Sequence, residues 1–223
     1  MKSYNSIYVV YPQDPSVDFL TPVFDKLISS LTNLTIFKPK ENELLRSIPD
    51  DTDLVFFLGH GNTNELLNIN GRGEKVKLID VQNGALQFDE CSVILFSCNS
   101  VDYLKKVRSQ EGVELNNFFV FGDMPTDKEH IEHNQKFREG FWSDYSLDHL
   151  EFYKSTLVES LSYGISNAIS TDSFHGMFKG ICLIVNKKIN EVLFRDEWSK
   201  NEKLQLIERL VEFKNEIRYL DKY

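Results

Sequence analysis

Apolar residues along this chain fall into two patterns: short continuous runs rich in β-branched and aromatic residues, and longer stretches where they recur every three or four positions. A continuous run bounded by polar or glycine-rich turns marks a strand covered on both faces, as in a parallel sheet under helices. A three- and four-residue period marks a helix with one face on a core. Residues 6–11 open the chain as a strand, and Asp14-Pro15 then supplies an N-cap and a proline for the first helical turn. Val17, Leu20, Phe24, Leu27, Ile28 and Leu31 follow at helical spacing. Residues 35–37 read as a short strand, 41–48 as a short helix, and 54–58 (Leu-Val-Phe-Phe-Leu) as a buried strand opened by Asp53. The alternation β-α-β-α-β predicts a doubly wound sheet with right-handed crossovers.

Residues 65–88 break that alternation. Segments 66–69 and 76–79 flank a glycine-rich turn (Asn70-Gly71-Arg72-Gly73) and read as a hairpin. The turn lacks the spacing of a phosphate loop and opens no helix, so no nucleotide site is assigned to it. A second buried strand, 92–96 (Ser-Val-Ile-Leu-Phe), leads to Ser97-Cys98, and Ser100 is read as the cap of a helix reaching Ser109 with Leu104 and Val107 inward. Residues 118–122 form a further strand, and 125–146 are polar and aperiodic. Residues 147–169 carry a long helical period. The apolar run 179–186 and residues 191–194 read as strands or a hairpin, and 202–220 as a closing amphipathic helix. With no repeat and no linker, the expectation is one domain spanning 1–223: an α/β three-layer sandwich, its mostly parallel central sheet flanked by helices.

The two buried strands before residues 60 and 98 organise the rest. One ends at Gly59-His60-Gly61 and the other at Cys98, and ligands of open α/β sheets bind at the carboxyl ends of such strands. A histidine and a cysteine there face one crevice, as a thiol nucleophile and its base require. Cys98 also precedes a helix N-terminus, where oriented N–H groups favour a thiolate. Cys91 and Cys182 sit beside or within apolar runs and read as buried packing residues. The glycines beside His60 allow a sharp turn and a close backbone approach.

Composition narrows the options. At 223 residues, with 41% hydrophobic and 26% charged content, the chain suffices for one sizeable core. A net charge of −9 argues against binding nucleic acid through phosphate neutralisation. Three cysteines without a CxxC pair argue against a disulfide framework or a zinc ribbon. No signal-like segment and no span-length apolar run is present, so the expected setting is the cytoplasm, with no membrane partner. His130 and His133, three apart, can share a helix face and hold a metal, but no third ligand has a defined position. They are read as solvated, and no metal or other cofactor is expected. His149 is read on an exposed register, and His175-Gly176 follows no strand.

Gly59-His60-Gly61 after one strand and Ser97-Cys98 after the next, with a hairpin between them, resemble the caspase-like (clan CD) cysteine peptidases, nearest to the bacterial CHAT-type members. The resemblance covers roughly residues 6–169. It implies a cysteine endopeptidase in which Cys98 attacks a peptide carbonyl, His60 handles protons and a thioester intermediate is hydrolysed. The N–H groups of Gly61 and Cys98 would hold the oxyanion. Some members select Arg or Lys through an acidic residue two places before the cysteine. Phe96 stands there, so that pattern is not met, and Asp123 is the candidate substrate-binding acid, or else a cap. The resemblance also implies a protein substrate, an activating sensor or regulatory partner, self-cleavage in 125–146, and a role in bacterial defence or cell death. Two rivals stand beside it: a non-catalytic scaffold that docks a partner at the crevice or near Trp142, and a flavodoxin-like binding module. The turn at residues 11–15 is no phosphate loop, which counts against the latter.

Overall fold

The computed structural model describes every residue except Lys2, Gln13, Arg46, Gly71 and Tyr223. In chain order its elements are β1 (Ile7–Val10), a 3-10 turn (Pro15–Leu20), α1 (Thr21–Ser30), β2 (Leu34–Phe37), β3 (Leu54–Leu58) and β4 (His60–Gly61). There follow β5 (Glu65–Ile69), β6 (Lys75–Asp80), α2 (Val81–Gln87), β7 (Ser92–Phe96), α3 (Ser100–Arg108), β8 (Phe118–Val120) and α4 (Lys128–Gln135). The chain closes with α5 (Leu147–Thr171), α6 (Phe174–Leu193), α7 (Lys200–Glu216) and β9 (Arg218–Leu220). The central sheet has six strands in the order β2-β1-β3-β7-β8-β9, and β4-β5-β6 form a separate three-stranded sheet. Every neighbouring pair of the central sheet is parallel except β8–β9.

Alternation along each strand builds two cores, one per face. Ile7, Val9, Phe56, Ile94, Phe96, Phe119 and Phe121 pack with buried residues of α1, α5, α6 and α7. Tyr8, Val10, Val55, Phe57, Val93, Leu95 and Val120 pack with Ala85 of α2, Tyr103, Leu104 and Val107 of α3, and Leu66, Leu78 and Ile79 of the hairpin. Two cores on opposite faces of one sheet are the mark of an α/β layered sandwich. Each fully buried Val, Leu, Ile or Phe contributes about 1.5–3 kcal/mol, so these strands set the register of the whole molecule. Among the described residues, no helix is long and apolar enough to cross a membrane.

Several expectations are corrected. Residues 179–186 and 191–194 are not strands; they belong to α6. Phe174, Met177, Ile181, Ile184, Val185 and Val192 are its buried residues, a helical period hidden inside a β-branched run. The packing partner decides the outcome. A Cβ on Gly180 would stand 3.0 Å from the Gly164 Cα, so the two glycines let α5 and α6 approach closely as a helical hairpin. The described residues of 41–48 form a loop rather than a helix. Asn68, buried in the hairpin, donates to the carbonyls of Lys40 (2.8 Å) and Glu43 (3.2 Å), and Asn42 adopts a positive φ of 60°. That pinning lets Leu45 and Ile48 reach the second core without a helix. Helix α2, capped by Asp80, was not anticipated. Nor was β9, which adds an antiparallel edge after α7 ends at Glu216. Gly71 of the expected turn lies outside the described residues.

Candidate functional site

The sheet sets the site by register. β3 pairs with β7 from Leu54↔Ser92 to Leu58↔Phe96, so His60 and Cys98 each lie two residues past matched ends of adjacent parallel strands. The Gly59 N–H continues the pairing to the Phe96 carbonyl at 3.1 Å. Gly61 then lies against the cysteine turn: a Cβ there would meet Ser97 Oγ at 2.7 Å and the Cys98 carbonyl at 3.1 Å. No side chain fits at 61. That close approach is what the flanking glycine supplies.

Cys98 sits on a turn held from both sides. Asn99, next in the chain, adopts a left-handed conformation (φ 57°, ψ 22°) and is the residue that caps α3, without a side-chain cap bond. Its N–H donates to the Gly122 carbonyl at 2.8 Å, and that of Val101 to the Phe121 carbonyl at 3.0 Å. Ser100 was read as the cap; instead it is the first residue of α3 and plugs the turn. Its hydroxyl reaches the Leu95 carbonyl and accepts from the Phe121 N–H, both at 2.8 Å. A non-glycine residue at positive φ is costly and persists only where its surroundings hold it. Among the described residues, the Cys98 N–H has no hydrogen-bond partner. The thiol itself donates to the Met124 carbonyl at 3.2 Å.

The imidazole in contact with that thiol belongs to His130, with Nδ1 4.0 Å from Sγ. On the other side of the ring, His130 Nε2 lies 2.8 Å from Asp123 Oδ1, an ion pair set off the N–H direction. Asp123 Oδ2 accepts from Asn134 Nδ2 at 2.7 Å, and the Asp123 N–H donates to Glu216 Oε2 at 2.8 Å. Asp127 caps α4 by accepting from the His130 N–H at 2.7 Å, which fixes the ring at the start of that helix. Burial alone would lower the His130 pKa, but its contacts with Asp123 and Cys98 outweigh it and hold the group at about 10. Burial likewise works to raise the Asp123 carboxyl, and the His130 and Asn134 contacts bring it below its ordinary range. At neutral pH this is an imidazolium–carboxylate pair beside a thiol.

His60 is held differently. Its Nε2 is 2.6 Å from Ser16 Oγ and 3.4 Å from Asp14 Oδ2, and Ser16 donates to Asp14 Oδ1 through both N–H (2.8 Å) and hydroxyl (2.7 Å). Burial and then Lys75 depress its pKa to about 4, against the pull of Asp14 and Asp127, so the ring is neutral at physiological pH. His60 and Cys98 share one small cavity, closed by Val17, Leu20, Phe96, Met124 and Thr126. Outside it a groove of about 510 Å³ runs between the Asp14–Ser16 turn, the hairpin residues Ile69, Gly73 and Lys75, and the start of α4 at Asp127–Glu129.

The sequence-predicted residues therefore gather at one place, with a member that was set aside. The solvated setting expected of His130 is corrected: the fold tucks it between Cys98 and Asp123. His133, its supposed partner, packs its ring 5.1 Å from Phe137. The local signal for His130 was the spacing Asp127–His130–Asn134, a cap followed by residues on one helix face. His149 was read as exposed; it is 1% exposed, accepts from the Ser146 N–H at 3.0 Å and packs edge-on against Trp198. His175 Nδ1 lies 2.7 Å from Tyr219 Oη. Trp142, near which the scaffold reading places a docked partner, is itself 1% exposed and part of the core. Burial pushes the Cys91 thiol up to about 11, in keeping with its packing role; Cys182, expected to be buried, is half-buried and part of neither core, though burial still raises its thiol. No protein-family model matches this chain, and a search of curated proteins finds no match.

Proposed function

We propose that this protein is a cysteine-type acyl hydrolase, acting on peptide bonds, with Cys98 as nucleophile. The observation that carries the proposal is the line Cys98–His130–Asp123, in which a thiol at a strand end contacts an imidazole whose far nitrogen is held by a carboxylate. A nucleophile, a base and a third group that orients the base form the recurring pattern of covalent catalysis. The 4.0 Å separation is long for a hydrogen bond, as such contacts often are before substrate binds.

In this scheme His130 enters as the charged ring, the thiol releases its proton to solvent, and the Sγ thiolate forms a bond to the substrate carbonyl carbon. The carbonyl π electrons move to oxygen, where the N–H groups of Cys98 and Gly61 hold the oxyanion. Collapse breaks the C–N bond, and His130 gives its proton to the departing amine. Water then attacks the thioester, losing a proton to His130, and the carboxylic product leaves as Sγ departs as the thiolate beside the recharged ring. Asp123 keeps the ring oriented and charged, so the selectivity role first considered for it passes to the groove. There Lys75 and the Asp127–Glu129 turn face incoming chain.

A second reading keeps His60 as the proton carrier, as the caspase-like resemblance implies. It is supported by the matched register of residues 60 and 98 and by a ring that is neutral, hence able to accept a proton, at pH 7. A defence or cell-death role, with a protein substrate and an activating partner, belongs to that reading. The test is hydrolysis of a fluorogenic peptide library by wild type, together with iodoacetamide labelling of each cysteine by mass spectrometry. Turnover abolished by Cys98→Ala, with Cys98 labelling fastest, is expected. No turnover, with Cys98 labelling no faster than Cys91 and Cys182, would leave the non-catalytic scaffold as the better account.

A further inference from the structure

We infer that Cys98 and His130, supported by Asp123, form a binding site for a borderline-soft divalent transition ion such as Zn²⁺, and that its occupation switches the thiol off. The inference concerns regulation of the site proposed above, and its inhibitory half rests on that reading.

The argument begins with donor chemistry. Among the described residues, Cys98, Asp123 and His130 are the one group of thiol, carboxylate and imidazole whose donor atoms all lie within 4.8 Å of one another. Thiolate and imidazole together select Zn²⁺ over the hard ions Mg²⁺ and Ca²⁺, which take oxygen. The gap also fits. Ordinary bonds of about 2.3 Å to sulfur and about 2.1 Å to nitrogen hold the two donors roughly 3.6 Å apart at a tetrahedral angle and about 4.4 Å apart in line. The observed Sγ–Nδ1 separation of 4.0 Å falls between these limits, so an ion enters with only side-chain adjustment.

The outer shell is in place. An imidazole that ligates through one nitrogen almost always gives its other N–H to a carboxylate or carbonyl, which fixes the tautomer. Asp123 stands on that side of His130, 2.8 Å from Nε2 though off the N–H direction, so a small turn of ring or carboxylate makes the bond; Asn134 and Glu216 hold Asp123 in turn. The His130 and Asp123 side chains are each about a fifth exposed, so water reaches the site from their side and completes the coordination. An ion here replaces the proton on Nδ1 and the proton on Sγ. Both the nucleophile and its proton carrier are then occupied, and no acyl transfer can begin.

Co²⁺ serves as the spectroscopic probe on the 223-residue chain. Wild type is expected to develop an intense near-ultraviolet thiolate-to-cobalt band that added Zn²⁺ bleaches. Cys98→Ala removes the band, His130→Ala weakens binding at least tenfold, and Asp123→Asn weakens it about 10–100-fold. His133→Ala, on the same helix but turned to Phe137, leaves it unchanged. Circular dichroism confirms that each variant folds. In wild type showing peptide turnover, micromolar Zn²⁺ stops hydrolysis and a chelator restores it. A missing cobalt band in folded, active wild type overturns the site, as does a band surviving in Cys98→Ala. Turnover that rises with Zn²⁺ overturns the inhibitory role. A cobalt band with the stated mutant pattern, in a protein that hydrolyses nothing, upholds the metal site and removes the hydrolase reading.

Discussion

Two imidazoles stand near the Cys98 thiol on different ground, His130 in contact with it and His60 lining the same small cavity, and the contrast explains their charge. His60 follows a strand directly and is buried to 9% exposure. Its polar neighbours are a hydroxyl and a carboxylate already engaged with each other, while Lys75 adds an unfavourable positive field. Desolvation wins, and the ring stays neutral. His130 is less deeply buried, its side chain 21% exposed, and has a carboxylate of its own at 2.8 Å and a thiol at its other nitrogen. There, pairing wins over desolvation and the ring holds its proton. Burial alone therefore does not decide charge; the carboxylate that is free to pair does.

The largest expected effect tests the thiol that both rings share. Cys98→Ala should lower peptide hydrolysis by a factor of about 1,000 or more, to the background of the remaining site, while the fold persists by circular dichroism. Next comes the choice between the rings. His130→Ala should cost about 100-fold in kcat and slow alkylation of Cys98 below pH 7, with His60→Ala costing clearly less. The reverse order would hand the proton-carrier role to His60 and sharpen the caspase-like reading. Asp123→Asn should cost about 10-fold in kcat with little change in KM, since it reorients the ring without touching substrate. It should also move the basic limb of the pH profile downwards; an unchanged limb would separate Asp123 from His130.

The smallest effects are on stability, and they carry opposite signs for the two rings. The folded-state pKa of His60 is depressed to about 4, so the unfolded chain binds more protons between about pH 6.5 and 4. The stabilisation from keeping His60 neutral is full above that window and is lost as pH falls through it, by at most about 3 kcal/mol. His130 is raised to about 10, so its contribution is full below about pH 6.5 and is lost as pH rises towards 10. Urea denaturation from pH 4 to 10 should show His60→Gln flattening the acidic slope and His130→Gln the alkaline one. Slopes unchanged in both variants would place the pH dependence elsewhere.

Much of the frame was legible in one dimension. Leu54–Leu58 and Ser92–Phe96 are strands because their continuous apolar runs satisfy both faces of a parallel sheet, and the long period of α5 admits one partner face. The proximity of residues 60 and 98 followed from that logic alone, since matched strand ends open on one crevice. The β-branched run inside α6 misled because composition outweighed period there, and Gly164 opposite Gly180 restores the helix only once the two elements meet.

The sequence by itself determined the parallel strands of the central sheet, the two glycine- and cysteine-bearing turns and the layered class, because these depend on periodicity and on local φ/ψ preference. The tertiary structure decided which histidine touches the thiol. Nothing within a few residues of His130 identifies Cys98 as its neighbour: the cysteine follows β7, 32 residues earlier, and Asp123, past the end of β8, meets the ring only because α4 folds back on that sheet edge. A side chain's charge and contacts depend on what long-range packing places beside it, and packing is a property of the folded whole.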